Sequence, residues 1–407
     1  MKSAVLQTIV LGTSVAFAGC GFDAELFGPV PIPPSVDASA DASDSASLPD
    51  APVGTAFAAA AGQTFTCALN RGRASCWGSN VAGALGSGDY VGHASPNPVV
   101  GGRIFDAITA GENHACAIET GTSLPFCWGA NARGQLGTGD AEVRLAPTAV
   151  VDIGPVKQIA AGYDFTCAIT RDDALYCWGE DYEGELAIPD MAVDKSVRPV
   201  RVDAGATFRA VSGGQGHACA IRSTGTIACW GRNNVGQLGT GDGAPIQLRA
   251  PTDIVSSRTW SALDLGQDSA CAIDTNGALF CWGQNSSGQL GIAGTQASSS
   301  TPIAVGAQFT SVDVSVDAFG ACARDPSGTL WCWGRNTEGQ LGLGDTAPSV
   351  TPSQVSGPPW TSVSVGRFHT CATAVPHLLA CTGDNSVGQL GVGDNNRRQT
   401  FTEVAIP

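Results

Sequence analysis

The sequence predicts an all-β repeat protein of seven units, each with about four short strands and one internal disulfide. Three observations predict it. Fourteen cysteines fall into seven pairs: Cys67 with Cys76, Cys116 with Cys127, Cys167 with Cys177, Cys219 with Cys229, Cys271 with Cys281, Cys322 with Cys332, and Cys371 with Cys381. Their first members follow one another by 49, 51, 52, 52, 51 and 49 residues. Tryptophan follows the second cysteine in six of the seven pairs, with Thr382 in the last. Between these points run short apolar stretches broken by Gly, Asn and Pro, with no helical period of usable length. A repeat near 50 residues is the length of a propeller blade.

Residues 1–19 read as a lipoprotein signal peptide. Lys2 supplies the positive start, and residues 4–18 are mostly apolar but too short to span a bilayer. Phe17-Ala18-Gly19-Cys20 resembles a bacterial lipobox, although Phe17 stands where leucine is usual. The resemblance implies lipidation of Cys20, the fifteenth cysteine, as the mature N-terminus. Gly21 follows where aspartate would favour the inner membrane, so the expected anchor is the outer membrane, on its periplasmic or cell-surface side. Residues 20–54 comprise Cys20 and a tether rich in Pro, Ala, Ser and Asp, too poor in large apolar side chains to pack a core. As a random coil the tether would reach roughly 30 Å.

Residues 55–407 form the repeat array. Its length exceeds the usual size of one core, and stacked units avoid that limit because each packs only on its neighbours. Setting aside Lys2 and the six acids of residues 21–54, the chain's formal charge of −15 leaves −10 here. That balance excludes nucleic acid and anionic membrane surfaces as partners, since both require a basic face. The membrane is expected to be met only through the N-terminal lipid. Paired cysteines in this number fit an oxidising, exported compartment.

The fifth unit shows the hairpin logic. With Cys271 opposite Cys281 on antiparallel strands, Ile273 faces Leu279, and the turn falls at Thr275-Asn276-Gly277, whose last two residues tolerate positive φ. The same register places Cys219 opposite Cys229, and Cys167 opposite Cys177. In the first unit it leaves Arg71-Gly72 as a two-residue loop. Directly opposed residues lie close enough at Cα for a disulfide. Each closed loop contributes about 3 kcal/mol by the chain-entropy argument, and the seven are not additive. Trp282 follows Cys281 and points to the other face of its strand, so both faces are apolar, as a sheet held between two others requires.

The stretch Cys-Trp-Gly-x-Asn-x-x-Gly-Gln-Leu-Gly resembles the repeat of the regulator of chromosome condensation (RCC1) family. It begins at Trp128-Gly129, Trp230-Gly231, Trp282-Gly283 and Trp333-Gly334, with weaker copies at Ala84-Leu85-Gly86, Gly184-Glu185-Leu186-Ala187 and Gly383-Asp384-Asn385. The resemblance covers about residues 55–407 and implies a seven-bladed RCC1-like β-propeller. Eukaryotic members generally lack the paired cysteines. In this family a strand from one terminus commonly completes a blade begun at the other, and Phe57 to Gly62 and Phe401 to Ile406 are the candidate segments.

Other chemistries fit less well. His114, His217 and His369 precede a cysteine by two residues, but three units of seven with His-x-Cys fall one ligand short of a closed zinc site. The Gly-x-Gly-Asp turns (Gly137 to Asp140, Gly239 to Asp242, Gly342 to Asp345, Gly391 to Asp394) are spaced wrongly for calcium-binding repeats and read as loop turns. No nucleophile elbow, His-Glu-x-x-His or phosphate loop occurs, and five histidines offer few general bases. The expectation is a non-enzymatic chain with no metal or other cofactor. Its long loops after Gly-Gln-Leu-Gly, such as Gly241 to Pro251 and Ile292 to Pro302, would bind a protein partner. A glycan- or cell-wall-binding module is the alternative; it needs exposed loop aromatics, for which Tyr90, Tyr182 and Trp360 are the candidates. A purely structural surface protein is the third reading.

Overall fold

The computed structural model describes residues 57–407 apart from 295 and 316–318. The expected signal peptide, the tether and Cys20 lie outside the described residues. The described chain forms seven antiparallel sheets, each a meander of four strands consecutive in sequence. In the first blade, Ala58–Ala61 pairs with Phe65–Asn70, then Arg73–Gly78, then His93–Pro98. In the last, the order is Trp360–Val365, His369–Ala374, Leu378–Gly383 and Arg398–Glu403. The first strand of every blade lines a central channel, so strands run from inner to outer along the chain.

All seven expected disulfides are present, each joining the second and third strands of one blade. Cys67 is bonded to Cys76, Cys116 to Cys127, Cys167 to Cys177 and Cys219 to Cys229. Cys271 is bonded to Cys281, Cys322 to Cys332 and Cys371 to Cys381. Their registers follow the sequence reading. Cys271 faces Cys281 with Ile273 against Leu279, and Asn70 faces Arg73 across a tight Arg71-Gly72 turn with both residues at positive φ. The paired Cα atoms stand 4.0–4.1 Å apart.

The core lies between sheets. One cluster joins Cys219, Ile221, Ile227 and Leu238 of the fourth blade to Trp260, Ala270, Ala272 and Trp282 of the fifth. The disulfide face of one blade therefore packs on the alanine-and-tryptophan face of the next. The tryptophan is aimed there by a break in the ladder. In every blade the pairing of third and outer strands shifts between the second cysteine and the glycine two residues later, as between Cys76 and Gly78, Cys127 and Gly129, Cys332 and Gly334, and Cys381 and Gly383. Such a bulge re-aims a side chain. The tryptophan indole then donates to a carbonyl in the preceding blade, as from Trp282 to Gln237 (3.0 Å) and from Trp77 to Gln389 (2.9 Å).

Two glycines make this contact possible. The one after tryptophan has positive φ, and at Gly283 a Cβ would lie 2.3 Å from the Asp268 carbonyl oxygen. The one closing Gly-Gln-Leu-Gly lies under the next blade's indole, and at Gly239 a Cβ would lie 2.8 Å from Trp282 Nε1. The last blade is an exception that fits the rule. Thr382 donates to the Gly339 carbonyl (2.9 Å), and Phe401, stacked on Trp360 at 5.0 Å, takes up the space over Gly342.

Ring closure differs from expectation. Both candidate segments contain strands, but each strand stays within its own blade, so no strand is exchanged between the termini. Side chains lock the first blade to the seventh instead. His369 Nε2 meets Thr66 Oγ1 at 2.8 Å, Thr66 Oγ1 donates to the Gln389 carbonyl (2.8 Å), and the Ala61 amide donates to Ser364 Oγ (3.0 Å). The seam carries the same indole-to-carbonyl bond as other joints, from Trp77 to Gln389, so closure does not rest on exchange. The disulfides already staple each blade, so the seam needs no stronger tie than the other joints.

The position two residues before the first cysteine of each pair obeys a matching rule across joints. His114 meets Thr166 (2.9 Å) and His369 meets Thr66. Phe65 and Phe165 meet Ala115 and Ala218, all buried. Two joints break the rule. His217 faces Ala270 and both its ring nitrogens are unpartnered, while Thr370 faces Gly320 and its hydroxyl is unpartnered. Burial holds His217 down to about 3 and His369 to about 4, so these rings are neutral donors or acceptors.

Two measurements test this architecture. Alkylation of the unfolded, unreduced chain should find at most one free thiol, that of Cys20; some fourteen would refute the stapled blades. Ala270→Thr should supply the missing partner of His217 and raise stability by about 1 kcal/mol in denaturant unfolding. Thr66→Ala, which strands His369, should lower stability by about 1–3 kcal/mol. Equal effects of the two substitutions would contradict the pairing rule.

Candidate functional site

A four-stranded meander puts its first and third connections on one side of the ring. The short loops between inner and second strands therefore share a face with the long Gly-Gln-Leu-Gly loops. Backbone bonds join them, as from Arg232 N to the Gly216 carbonyl and from Arg335 N to the Phe319 carbonyl, both 2.7 Å. The long loops end sooner than expected, because the outer strands Gln247–Asp253 and Ser298–Gln308 take up Pro251 and Pro302. Proline is tolerated there because an outer strand has a free edge.

These loops are built around a buried asparagine. Asn131 Oδ1 accepts from Leu136 N (3.0 Å), and its Nδ2 donates to the carbonyls of Asp140 and Glu142, both 3.0 Å. The aspartates of the Gly-x-Gly-Asp turns serve the same loops. Asp140 Oδ1 accepts from Glu142 N (3.1 Å), Asp345 Oδ1 from Ala347 N (3.0 Å) and Asp394 Oδ1 from Asn396 N (2.8 Å). Hydrogen bonding from Arg398 and then Asn396 N holds Asp394 down at about 2. The glycine before the aspartate donates to the next blade's outer strand, as from Gly139 N to the Val197 carbonyl (3.0 Å).

The face is divided in charge. Around the second and third blades, Tyr163 donates to Glu112 (2.7 Å), Gln135 Nε2 donates to Asp164 (2.7 Å), and Arg133 pairs with Glu180 (3.3 Å). Burial, then the charges of Glu112 and Glu180, push Asp164 up to about 7. Burial pushes Glu185 to about 8; it occupies the glutamine position of its repeat and still accepts from Glu183 N (2.9 Å). Around the sixth and seventh blades the face is aromatic and basic. Half-buried Phe368 lies between Arg335 and Arg367, whose guanidinium carbons stand 5.0 and 4.9 Å from its ring centre. Phe319 lines a groove of about 680 Å³ between the fifth and sixth blades.

The channel carries a second polar constellation. The residues opposite each first cysteine are Ala60, Thr109, Ala160, Ser212, Asp264, Asp313 and Ser364. Inner strands have free edge amides, and Thr109, Ser212, Asp264, Asp313 and Ser364 accept from such an amide in the next blade. Asp264 accepts from Val314 N and from Ser212 Oγ, and Asp313 accepts from Val365 N, at 2.6, 2.7 and 2.6 Å. Burial raises Asp264 to about 6; burial and then the charge of Asp264 raise Asp313 well above the usual carboxylate range. Both carboxyls line the same cavity, of about 250 Å³, and both are held above the usual carboxylate range there.

Sequence reading located the disulfides and the Gly-Gln-Leu-Gly loops but missed this pair and the aromatic half of the face. Aligning units on their cysteines exposes Asp264 and Asp313 at one register position. The zinc reading loses its ligands, because all fourteen sulfurs, from Cys67 and Cys76 to Cys371 and Cys381, lie in S–S bonds. Of the loop aromatics, Tyr90 and Tyr182 are exposed, at 56% and 72%, but Trp360 is 3% exposed and begins an inner strand.

The RCC1-like domain family model matches residues 36–321, and models of the regulator of chromosome condensation (RCC1) repeat match residues 327–373 and 303–340. In sequence the chain is similar to the ultraviolet-B receptor UVR8 of Arabidopsis thaliana, 31% identical over 280 residues, 66% of this chain and 62% of that protein. It is also similar to the secretion-regulating guanine nucleotide exchange factor of Mus musculus, 28% identical over 284 residues, 65% of this chain and 60% of that one. It thus spans less than two thirds of the length of either relative. In fold it is similar to Prp20p from Saccharomyces cerevisiae, with a TM-score of 0.73 and 19% identity, covering 84% of this chain and 86% of that one. Human WBSCR16 gives 0.70 and 21%, covering 77% and 85%.

The channel pair predicts a pH effect. Both carboxyls titrate higher in the fold than in an unfolded chain, where they titrate near 4. Their contribution to stability is therefore present in full below about pH 4 and is lost as pH rises through their raised values, about 6 for Asp264. Asp313→Asn should gain stability relative to the unaltered protein between pH 5 and pH 8, by about 1 kcal/mol given water in the channel. The buried histidines contribute equally to both proteins and cancel. A pH-independent difference in melting temperature would show that burial does not raise the titration of Asp313.

Proposed function

The chain belongs to the RCC1-like family, and from that premise we propose that its propeller is a rigid, non-catalytic scaffold that binds another protein, lipid-anchored through Cys20 at the bacterial outer membrane. The observation that carries the binding reading is the composition of one face. Tyr163, Phe319 and Phe368 stand among Arg133, Arg335 and Arg367, and aromatic residues and arginine are the residues enriched in the energetic centres of protein interfaces. Disulfide-stapled blades hold these groups in place, so little ordering entropy is lost on binding.

Relatives support the reading. Solved structures of the yeast relative are described with its binding properties to Gsp1p and histones and in complex with Kap60. The acidic charge of this chain turns the proposal away from chromatin-like partners. The anchor rests on the apolar leader before Cys20, and the exported location on the density of cysteine pairs. A glycan-binding module has less to work with, since exposed Tyr90 and Tyr182 lie in loops of different blades.

Cross-linking of the native envelope followed by mass spectrometry should join residues of this face to one protein species. Cross-links spread over both faces, or a glycan-array signal without any protein partner, would displace the scaffold reading. Protease treatment of unbroken cells should remove the propeller if it faces the medium and spare it if it faces the periplasm. Recovery of the chain from the soluble fraction with an unmodified Cys20 would remove the anchor.

A further inference from the structure

The joints of this propeller are internal copies of one another, and the residue that meets the Gly-Gln-Leu-Gly glutamine varies from joint to joint. Between the fourth and fifth blades, Arg232 and Gln237 both hold Asp268, at 2.5 Å from the guanidinium and 3.2 Å from the amide nitrogen. Between the second and third, Gln135 holds Asp164 in the same way. Between the sixth and seventh, Arg335 and Gln340 occupy the positions of Arg232 and Gln237, but Phe368 stands where Asp268 does. The consequence is visible in the donors. Gln340 Nε2 has no acceptor, although the residue is only 3% exposed. One joint earlier the same holds for Gln289, which is fully buried and has Phe319 in place of the aspartate. Arg335 bonds Thr337 Oγ1 (3.0 Å) and stacks on Phe368, and among the described residues it has no carboxylate partner. The nearby Glu338 is already paired with Arg397 (3.2 Å).

The groove beside these donors opens between the fifth and sixth blades. Arg335, Phe319, Pro348 and Val350 line it together with the amides of Asn285 and Asn336, and no acidic side chain is among its described lining residues. In a domain of formal charge −10 this is a local reversal. A cation with no carboxylate partner among the described residues and a wall of Phe319, Pro348 and Val350 are complementary to a carboxylate carried on an apolar segment.

Resting on the protein-binding reading, we infer that this groove receives an acidic–apolar peptide segment of the partner. The carboxylate of an aspartate or glutamate pairs with Arg335 from the groove, where no carboxylate among the described residues meets it. Apolar neighbours in the segment lie along Phe319, Pro348 and Val350.

The test is a selection of displayed random peptides on the immobilised full chain. Enriched peptides should carry Asp or Glu beside apolar residues. A synthetic copy of the best of them should bind Arg335→Ala at least tenfold more weakly, with Arg335→Lys recovering part of the loss. Val350→Asp, at a groove position 49% exposed, should weaken it similarly without changing the melting temperature. Arg201→Ala, at an exposed position of the third blade's outer strand Lys195–Val202, should bind as the unaltered protein does. Peptides without acid enrichment, or acidic peptides that bind Arg335→Ala equally well, would overturn the groove assignment. A cross-linked partner retained in full by Arg335→Ala would overturn it too and leave the scaffold reading standing. Absence of any protein partner would remove that reading instead.

Discussion

The contact on which the molecule depends is the joint between neighbouring blades, where an indole from one sheet reaches the loop of the sheet before it. A propeller has no common core; each sheet has two faces, and both must be buried on neighbours. Here one face presents a disulfide with Ile and Leu, and the other presents alanines and a tryptophan. The small residues leave room for the sulfurs of the adjacent blade. The tryptophan is large enough to span the wedge that opens toward the rim, and its single N–H finds a carbonyl there. Removing either glycine beneath this arrangement would force backbone or indole to move, so the repeat motif records joint geometry rather than chemistry.

Disulfides and joints have different tasks. Each disulfide closes a short loop inside one blade and says nothing about which blade comes next. Order and closure of the ring are left to non-covalent matching: His with Thr, Phe with Ala, Asp or Ser with a free edge amide. Because the seam uses the devices found at other joints, a His–Thr contact, an indole on a carbonyl and a serine on an edge amide, the first and last blades are held without an exchanged strand. The mismatches at His217 and Thr370 show that the ring tolerates departures at single joints when the rest are satisfied.

Departures from the rule also mark the places with most to offer a partner. Asp264 and Asp313 place two carboxyls in the channel where other blades have Ser, Thr or Ala, and burial raises the titration of both. Phe319 and Phe368 stand where Asp164 and Asp268 satisfy neighbouring donors at two other joints, and they turn part of a polar face aromatic. In an array of near-identical units, the irregular unit is the informative one, since the fold does not require its difference.

Much of this was legible from residue order. Cysteine spacing, the tryptophan beside each second cysteine and the turn residues between them specify strand number, register and disulfide pairing, because those depend on contacts within about ten residues of chain. Three things were not legible. The termini were expected to share a blade, and they do not, since that choice rests on the balance of contacts at a seam some 300 residues apart in sequence. The loops after Gly-Gln-Leu-Gly read as long and free, whereas packing against the next blade turns their ends into outer strands. The acidic pair and the unfilled donors at Arg335, Gln289 and Gln340 arise from residues about fifty positions apart that become neighbours across a joint. Local spacing dictates each blade; which side chains meet between blades is settled by the way the ring closes, and that meeting creates the site.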